Sequence, residues 1–321
     1  MRVISMIMTV TGKIKRTDLG RTLPHEHVIE TAAGFNSLFP EITTREQVLK
    51  QAKKEFKELA EYGIQSVIDT TTYDIGRDPE FLRDLSLATA VNIVCSTGCY
   101  LQITPAFANQ TERTIADLFI REIKSGIGKT GIKPGVIKVA TGSQGFTETT
   151  IKMFNAAAIA HLETGTPITT HTWAQGKTGI GQLEIFDKHK IDLSNVCIGH
   201  SDDSDDLGYL TELCQSGAFV AFDKLYPVDR LGTSPNIDER ISNLLDLLNR
   251  GFASKLMISH DWSIHAPAFW PKSEESDRKT QNPDGYLYIS KVVLPELVKN
   301  SIESSTIDQM MINNPSEFLD Y

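Results

Sequence analysis

Leu23-Pro24-His25-Glu26-His27-Val28 decides how the rest of this chain is read. Along an extended strand successive side chains alternate faces, so His25 and His27 share one face and Glu26 takes the other. Two imidazoles on one face can chelate a single divalent ion. Alone, His-x-His is a weak signal, because a strand end carrying two histidines by chance has the same form. It gains weight from the ends of other short apolar runs. Lys138 sits late in Gly135-Val136-Ile137-Lys138-Val139-Ala140-Thr141-Gly142. His171 ends Ile168-Thr169-Thr170-His171, His200 ends Val196-Cys197-Ile198-Gly199-His200, and Asp261 ends Ile258-Ser259-His260-Asp261.

Working outward, short apolar runs recur at residues 21–24, 66–69, 92–97, 135–140, 167–170, 195–199, 218–222 and 255–259. Several are rich in Val and Ile and too short for helices, as strands buried on both faces should be. Longer amphipathic segments lie between them. Thr43 and Thr44 with Glu46 and Gln47 signal a helix start, and Gly63 a stop. Further helices are expected over 78–90, 111–124, 147–163, 181–189, 203–215, 238–249, 286–299 and 306–311. Eight strands alternating with helices predict an α/β fold, a (β/α)8 TIM barrel, over residues 1–321 as one domain. Residues 1–20 are expected to form a short N-terminal β-hairpin turning at Thr11-Gly12-Lys13-Ile14, and 262–284 a long loop after the eighth strand. An open doubly wound sheet is the competing fold, but no run is followed by Gly-x-Gly-x-x-Gly.

An apolar content of 40% with 23% charged residues is ordinary globular composition. The net charge of −9 argues against nucleic acid and anionic membrane surfaces. Cys95, Cys99, Cys197 and Cys214 form no Cys-x-x-Cys pair and read as core residues of a reduced, cytoplasmic protein. The apolar start, Val3 to Val10, is too short and too weakly basic for a signal peptide. No window resembles a membrane span.

In a barrel of this kind active sites gather where strands end at the carboxyl face, so the six polar groups can converge on one cavity. Lys138 is the most telling. A lysine inside an apolar strand is costly unless its charge is removed or paired. Burial lowers its pKa, and the neutral amine can add carbon dioxide, becoming a carbamate able to bridge two metals. The plainer account is a buried stem with the head snorkelling outward. His161 and His189 read as packing or surface residues, and His260 and His265 flank the site. Asp202, Asp203, Asp205 and Asp206 read as helix N-terminal acids, one of which could orient His200 from behind.

The order His-x-His, Lys, His, His, Asp on strands one, four, five, six and eight resembles the phosphotriesterase family of the amidohydrolase superfamily. Thr9-Val10-Thr11-Gly12, Leu23 to His27, Val136 to Gly142 and Gly199-His200-Ser201 are similar to that family's blocks. The resemblance spans nearly the whole chain and fills every ligand position. It implies two divalent ions, with His25, His27 and Asp261 on the buried one and His171 and His200 on the more exposed one. Carbamylated Lys138 and a hydroxide would bridge them. Zinc suits such donors, and manganese, cobalt or iron could occupy them. Asp261 would accept the hydroxide's proton and relay it to the leaving oxygen.

The family divides into organophosphate triesterases, lactonases and other members. Tyr100 resembles a lactonase tyrosine beside the metals. Lys224 stands where lactonases of the family carry Arg and triesterases His. The loop after strand eight holds Trp262, Phe269, Trp270, Lys272, Arg278 and Lys279, and Arg230 lies in the preceding loop. Long loops in compact domains are usually functional. Together these point to an anionic lactone, a phosphorylated furanose lactone with its phosphate held by Lys224, Arg230 or Arg278. An acyl-homoserine lactone or an organophosphate triester is the alternative substrate, and a non-catalytic metal-binding barrel the alternative class. A homodimer is compatible with the sequence.

Overall fold

The computed structural model describes residues 5–42, 44–101, 103–227, 234–266 and 279–321. β1 (Met6–Thr9) and β2 (Gly12–Lys15) pair antiparallel, with Thr9 opposite Gly12. The turn is therefore Val10-Thr11, and Gly12 to Ile14, expected in the turn, already belong to β2. Gly12 enters β2 with φ +114°, a conformation that favours glycine.

The Val- and Ile-rich runs become β3 (Thr22–Glu26), β4 (Ser66–Asp69), β5 (Asn92–Gly98), β6 (Val136–Ala140), β7 (Ile168–His171), β8 (Val196–Ile198), β9 (Phe219–Phe222) and β10 (Leu256–Ile258). All are parallel, each beside its neighbours in sequence. A doubly wound sheet reverses its strand order partway, and this one does not. The seam between β10 and β3 closes at their carboxyl ends. Asp261 N–H donates to His25 O (3.0 Å), His27 N–H to Trp262 O (2.9 Å) and Ile264 N–H to Val28 O (3.2 Å). The expected (β/α)8 barrel is the fold.

Val94, Val136, Cys197, Phe219, Ala221 and Met257 pack together low in the barrel, capped by Ile7, Leu19, Phe318 and Leu319. The hairpin and the C-terminal helix thus seal the amino-terminal mouth with apolar side chains, and polar groups occupy the other end. The four cysteines are buried and free. Among the described residues no helix is long and apolar enough to cross a membrane.

Helix starts follow side-chain caps. Asp78, Thr111, Thr147 and Asp206 each accept the N–H three residues on, and Asn236 forms a capping box with Glu239. The helix expected at 181 begins at Thr178, and the one expected at 203 begins at Leu207. The last two helices differ more. Each contains a π-turn, Ile289–Val293 and Gln309–Asn313, shortly before Pro295 and Pro315. Proline lacks an N–H and crowds the carbonyl four residues back. The wider turn accommodates that residue, so the final helical segment runs to Phe318 instead of ending at Met311.

Candidate metal centre

Between β3 and β4 the register shifts from Leu23 to Glu26. Pro24, inside that interval, has no N–H for the ladder, and such a bulge re-aims the side chains beyond it. His25 and His27 both turn into the carboxyl end of the barrel, their ring centroids 5.7 Å apart. Lys138 lies in register with Gly98 and Thr169 on its neighbours. A Cβ at Gly98 would meet the Lys138 carbonyl oxygen at 1.9 Å, so only glycine lets β5 approach here. His171 packs on His200 at 4.2 Å between centroids, and His200 on His25 at 4.7 Å. Thus the structure brings His25, His27, Lys138, His171, His200 and Asp261 to one cavity of about 530 Å³.

The donor set suits divalent cations. Candidate ligand atoms of His25, His200 and Asp261 lie within 4.8 Å of one another. His25 and His200 donate from Nδ1 to the two oxygens of Asp223, at 2.5 and 2.7 Å, which leaves each Nε2 with an inward lone pair. His27 Nδ1 lies 2.8 Å from Thr71 Oγ1, and its Nε2 lies 3.1 Å from Asp261 Oδ1. His25 Nε2 is 3.6 Å from the same oxygen. Lys138 Nζ stands 2.7 Å from His25 Nε2 and donates to Thr170 O at 3.2 Å. Imidazole nitrogens, a carboxylate and a modifiable amine within ligand reach are what a metal cluster requires.

The electrostatics agree. Burial pulls Lys138 down to about 8, so a minor but appreciable fraction is the neutral amine near neutrality. Burial, reinforced by Lys138, takes His25 down to about 3. Burial works against the Asp261 carboxylate, but Lys224, His200 and His27 outweigh it and hold the group well below the usual range.

Asp223 is the site residue that sequence reading missed. It is fully buried and also accepts His200 N–H at 2.8 Å. Asp223, and none of Asp202, Asp203, Asp205 or Asp206, orients His200. Asp202 and Asp203 do stand in the first turn of a short 3-10 helix, Ser201–Asp203, but Asp202 is also buried under β9, accepting Asp223 N–H (3.1 Å) and Lys224 N–H (3.0 Å). Arg240 pairs with it at 3.1 Å, yet burial still raises Asp202 to about 7. Only Asp206 caps the following helix. An acid directly beyond a barrel strand was the available signal, the same one that drew attention to Asp261. Asp223→Asn is expected to weaken divalent-ion affinity about 10- to 100-fold, as loss of a carboxylate behind ligand histidines does. Metal titration of the purified variant checks this, and wild-type affinity would exclude the orienting role.

Tyr100 meets His171 edge-on, centroids 4.9 Å apart, with its N–H held by the buried Asp74 at 3.0 Å. Lys224 lies deeper than a rim residue, its Nζ paired with Asp261 Oδ2. Arg230, Phe269, Trp270, Lys272 and Arg278 fall outside the described residues.

Comparison with known proteins agrees with this geometry. Residues 5–319 match the model of the phosphotriesterase family. An aryldialkylphosphatase of Saccharolobus solfataricus is 32% identical over 323 residues, covering 98% of this chain and 99% of that one. An organophosphorus hydrolase from Deinococcus radiodurans superposes with a TM-score of 0.89 at 33% identity, covering 99% of each chain. A mutant of a PTE-like lactonase from the same organism gives 0.89 at 34% identity, over 98% of this chain and 99% of that one. Fold, donor set and full-length similarity together establish that the chain belongs to the phosphotriesterase family of metal-dependent hydrolases.

Proposed function

We propose that this chain, acting as one hydrolase unit, opens a lactone ring, and that the lactone carries a phosphate. His25, His27, His171, His200, Asp261 and a carbamylated Lys138 would hold two divalent ions, zinc by the chemistry of the donors. Bound there, such ions supply an activated water and a Lewis acid at neutral pH.

One observation carries the reading. Asp261 faces the His25 and His27 nitrogens with Oδ1 and pairs with Lys224 through Oδ2. A carboxylate so placed can take a proton at the ligand cluster and return it towards the substrate side. Lactone opening needs that return, because the departing alkoxide is strongly basic. Lys224 keeps Asp261 ionised and ready to accept, and Tyr100 lines the same cavity. With Lys224 engaged by Asp261, Arg230 or Arg278 would be left to supply the remote phosphate contact. Phosphate held there would orient the carbonyl by binding energy spent away from the reacting bond.

A second reading, an acyl-homoserine lactone, is favoured by Ile75, Leu101 and Trp173 along the cavity wall. One panel separates the two: kcat/KM for a five-carbon 1,4-lactone with and without its 5-phosphate, and for acyl-homoserine lactones. The phosphorylated lactone is expected to lead by about 10- to 100-fold, the equivalent of one hydrogen bond to a charged group. Arg278→Ala or Arg230→Ala should remove that lead, whereas Lys224→Ala should slow both forms alike. Indifference to phosphate, or preference for the acyl chain, overturns the phosphate.

A further inference from the structure

Glu26 lies between two residues of the site yet faces away from it. It is fully buried. Oε1 accepts from Ser259 Oγ (2.7 Å), His260 N–H (2.9 Å) and His260 Nδ1 (2.7 Å), and Oε2 accepts Trp262 N–H (2.9 Å). These four donors straddle Asp261 in sequence, and Asp261 itself has φ +52°, the left-handed region that side chains other than glycine rarely adopt. Ser259 Oγ also accepts His25 N–H at 3.0 Å, and His260 Nε2 accepts Ile289 N–H at 3.1 Å. One carboxylate therefore ties β3, the turn after β10 and, through His260, the helix that contains Ile289 to a single point.

We propose that Glu26 is the positioning residue for Asp261: by holding Ser259, His260 and Trp262 it keeps the Asp261 turn in its unfavourable conformation. A left-handed non-glycine residue persists only where its surroundings over-determine it. Here they do so on both flanks. Buried hydrogen bonds to an acceptor of this kind are also costly to leave half made. Glutamine cannot replace it, because whichever way its amide turns, an NH2 group confronts an N–H donor.

The kinetic part of this inference rests on the proton-handling role proposed for Asp261, and the test separates the two. Metal content, kcat and KM are measured for metal-loaded Glu26→Gln and Asp261→Asn, on a lactone and on an activated aryl ester whose phenolate needs no proton. Hydrogen exchange at the Trp262 amide is measured in metal-free full-length Glu26→Gln. Expected for Glu26→Gln are unchanged metal stoichiometry, KM near wild type, and a lactone kcat lower by about 100-fold, the scale of a roughly 1 Å misplacement. The aryl ester should lose far less, and Trp262 should exchange faster. Equal losses on both substrates, or wild-type exchange at Trp262, overturn the proposal. If Asp261→Asn shows no split between substrates, the proton role fails, and Trp262 exchange alone decides for Glu26. Should Glu26→Gln fail to fold, His260 variants decide. His260→Asn can still donate to Glu26 from near the Nδ1 position and should retain lactone turnover that His260→Ala loses; equal turnover in the two overturns the clamp.

Discussion

Lys138→Ala is expected to strip most of the bound metal and to lower turnover by about 1000-fold or more, the equivalent of about 4 kcal/mol of barrier. Lys138 is almost wholly buried at the cavity floor, with its amine against His25 Nε2 and Thr170 O. Burial already draws its pKa to about 8, which provides the neutral amine that carbamylation needs. Truncation also leaves a space at the floor of the cavity, so short carboxylic acids such as acetate or propionate should restore part of both metal and activity. Metal analysis and turnover with and without added acid measure this. A variant with full metal and full turnover would exclude a carbamate bridge.

The second large effect is expected at Asp261. With metal content unchanged, Asp261→Asn should cost lactone hydrolysis about 100- to 10000-fold, the range of a positioned general acid–base group. An activated aryl ester should suffer much less, since its phenolate departs without a proton. The asparagine amide can neither hold the exchanged proton nor pair with the Lys224 ammonium as the carboxylate does. Equal losses on both substrates would leave Asp261 a ligand and nothing more.

Much of this was legible in the sequence because the same physics writes both. Strands buried on both faces must be short and apolar, and functional groups at their carboxyl ends appear as polar punctuation after Val and Ile. His171, His200 and Asp261 each stand at such a point. Asp223 stands at one too, after Phe219–Phe222, but its neighbour Lys224 drew the reading. That two histidines from β3 and β8 share its carboxylate follows only from the closed barrel. Glu26 was correctly put on the opposite face from His25 and His27, yet what it meets there depends on the first strand lying beside the last. Asp202 was hidden for a related reason: burial under β9, with Arg240 arriving from a distant helix, cannot be seen in a run of four acids. The last helix was expected to stop at Met311, where it continues to Phe318, because local sequence does not announce a π-turn.

The seam between β3 and β10 also bears on how the chain acquires its shape. It joins groups 234 positions apart, as between His25 N–H and Ser259 Oγ, far beyond the spacing of any adjacent strand pair before it. The entropy of closing a loop grows with its length, and contacts of high sequence separation are slow to form. A nascent chain can stack β3 to β9 as they emerge from synthesis, but the ring stays open until residues 256–264 arrive. The last joint that synthesis makes available is therefore the one that brings Asp261 to His25 and His27. An ion shared between His25 or His27 and Asp261 would act as a clasp on that joint, favouring the closed ring by mass action. Closing the barrel and bringing its candidate metal ligands together are the same step in the structure.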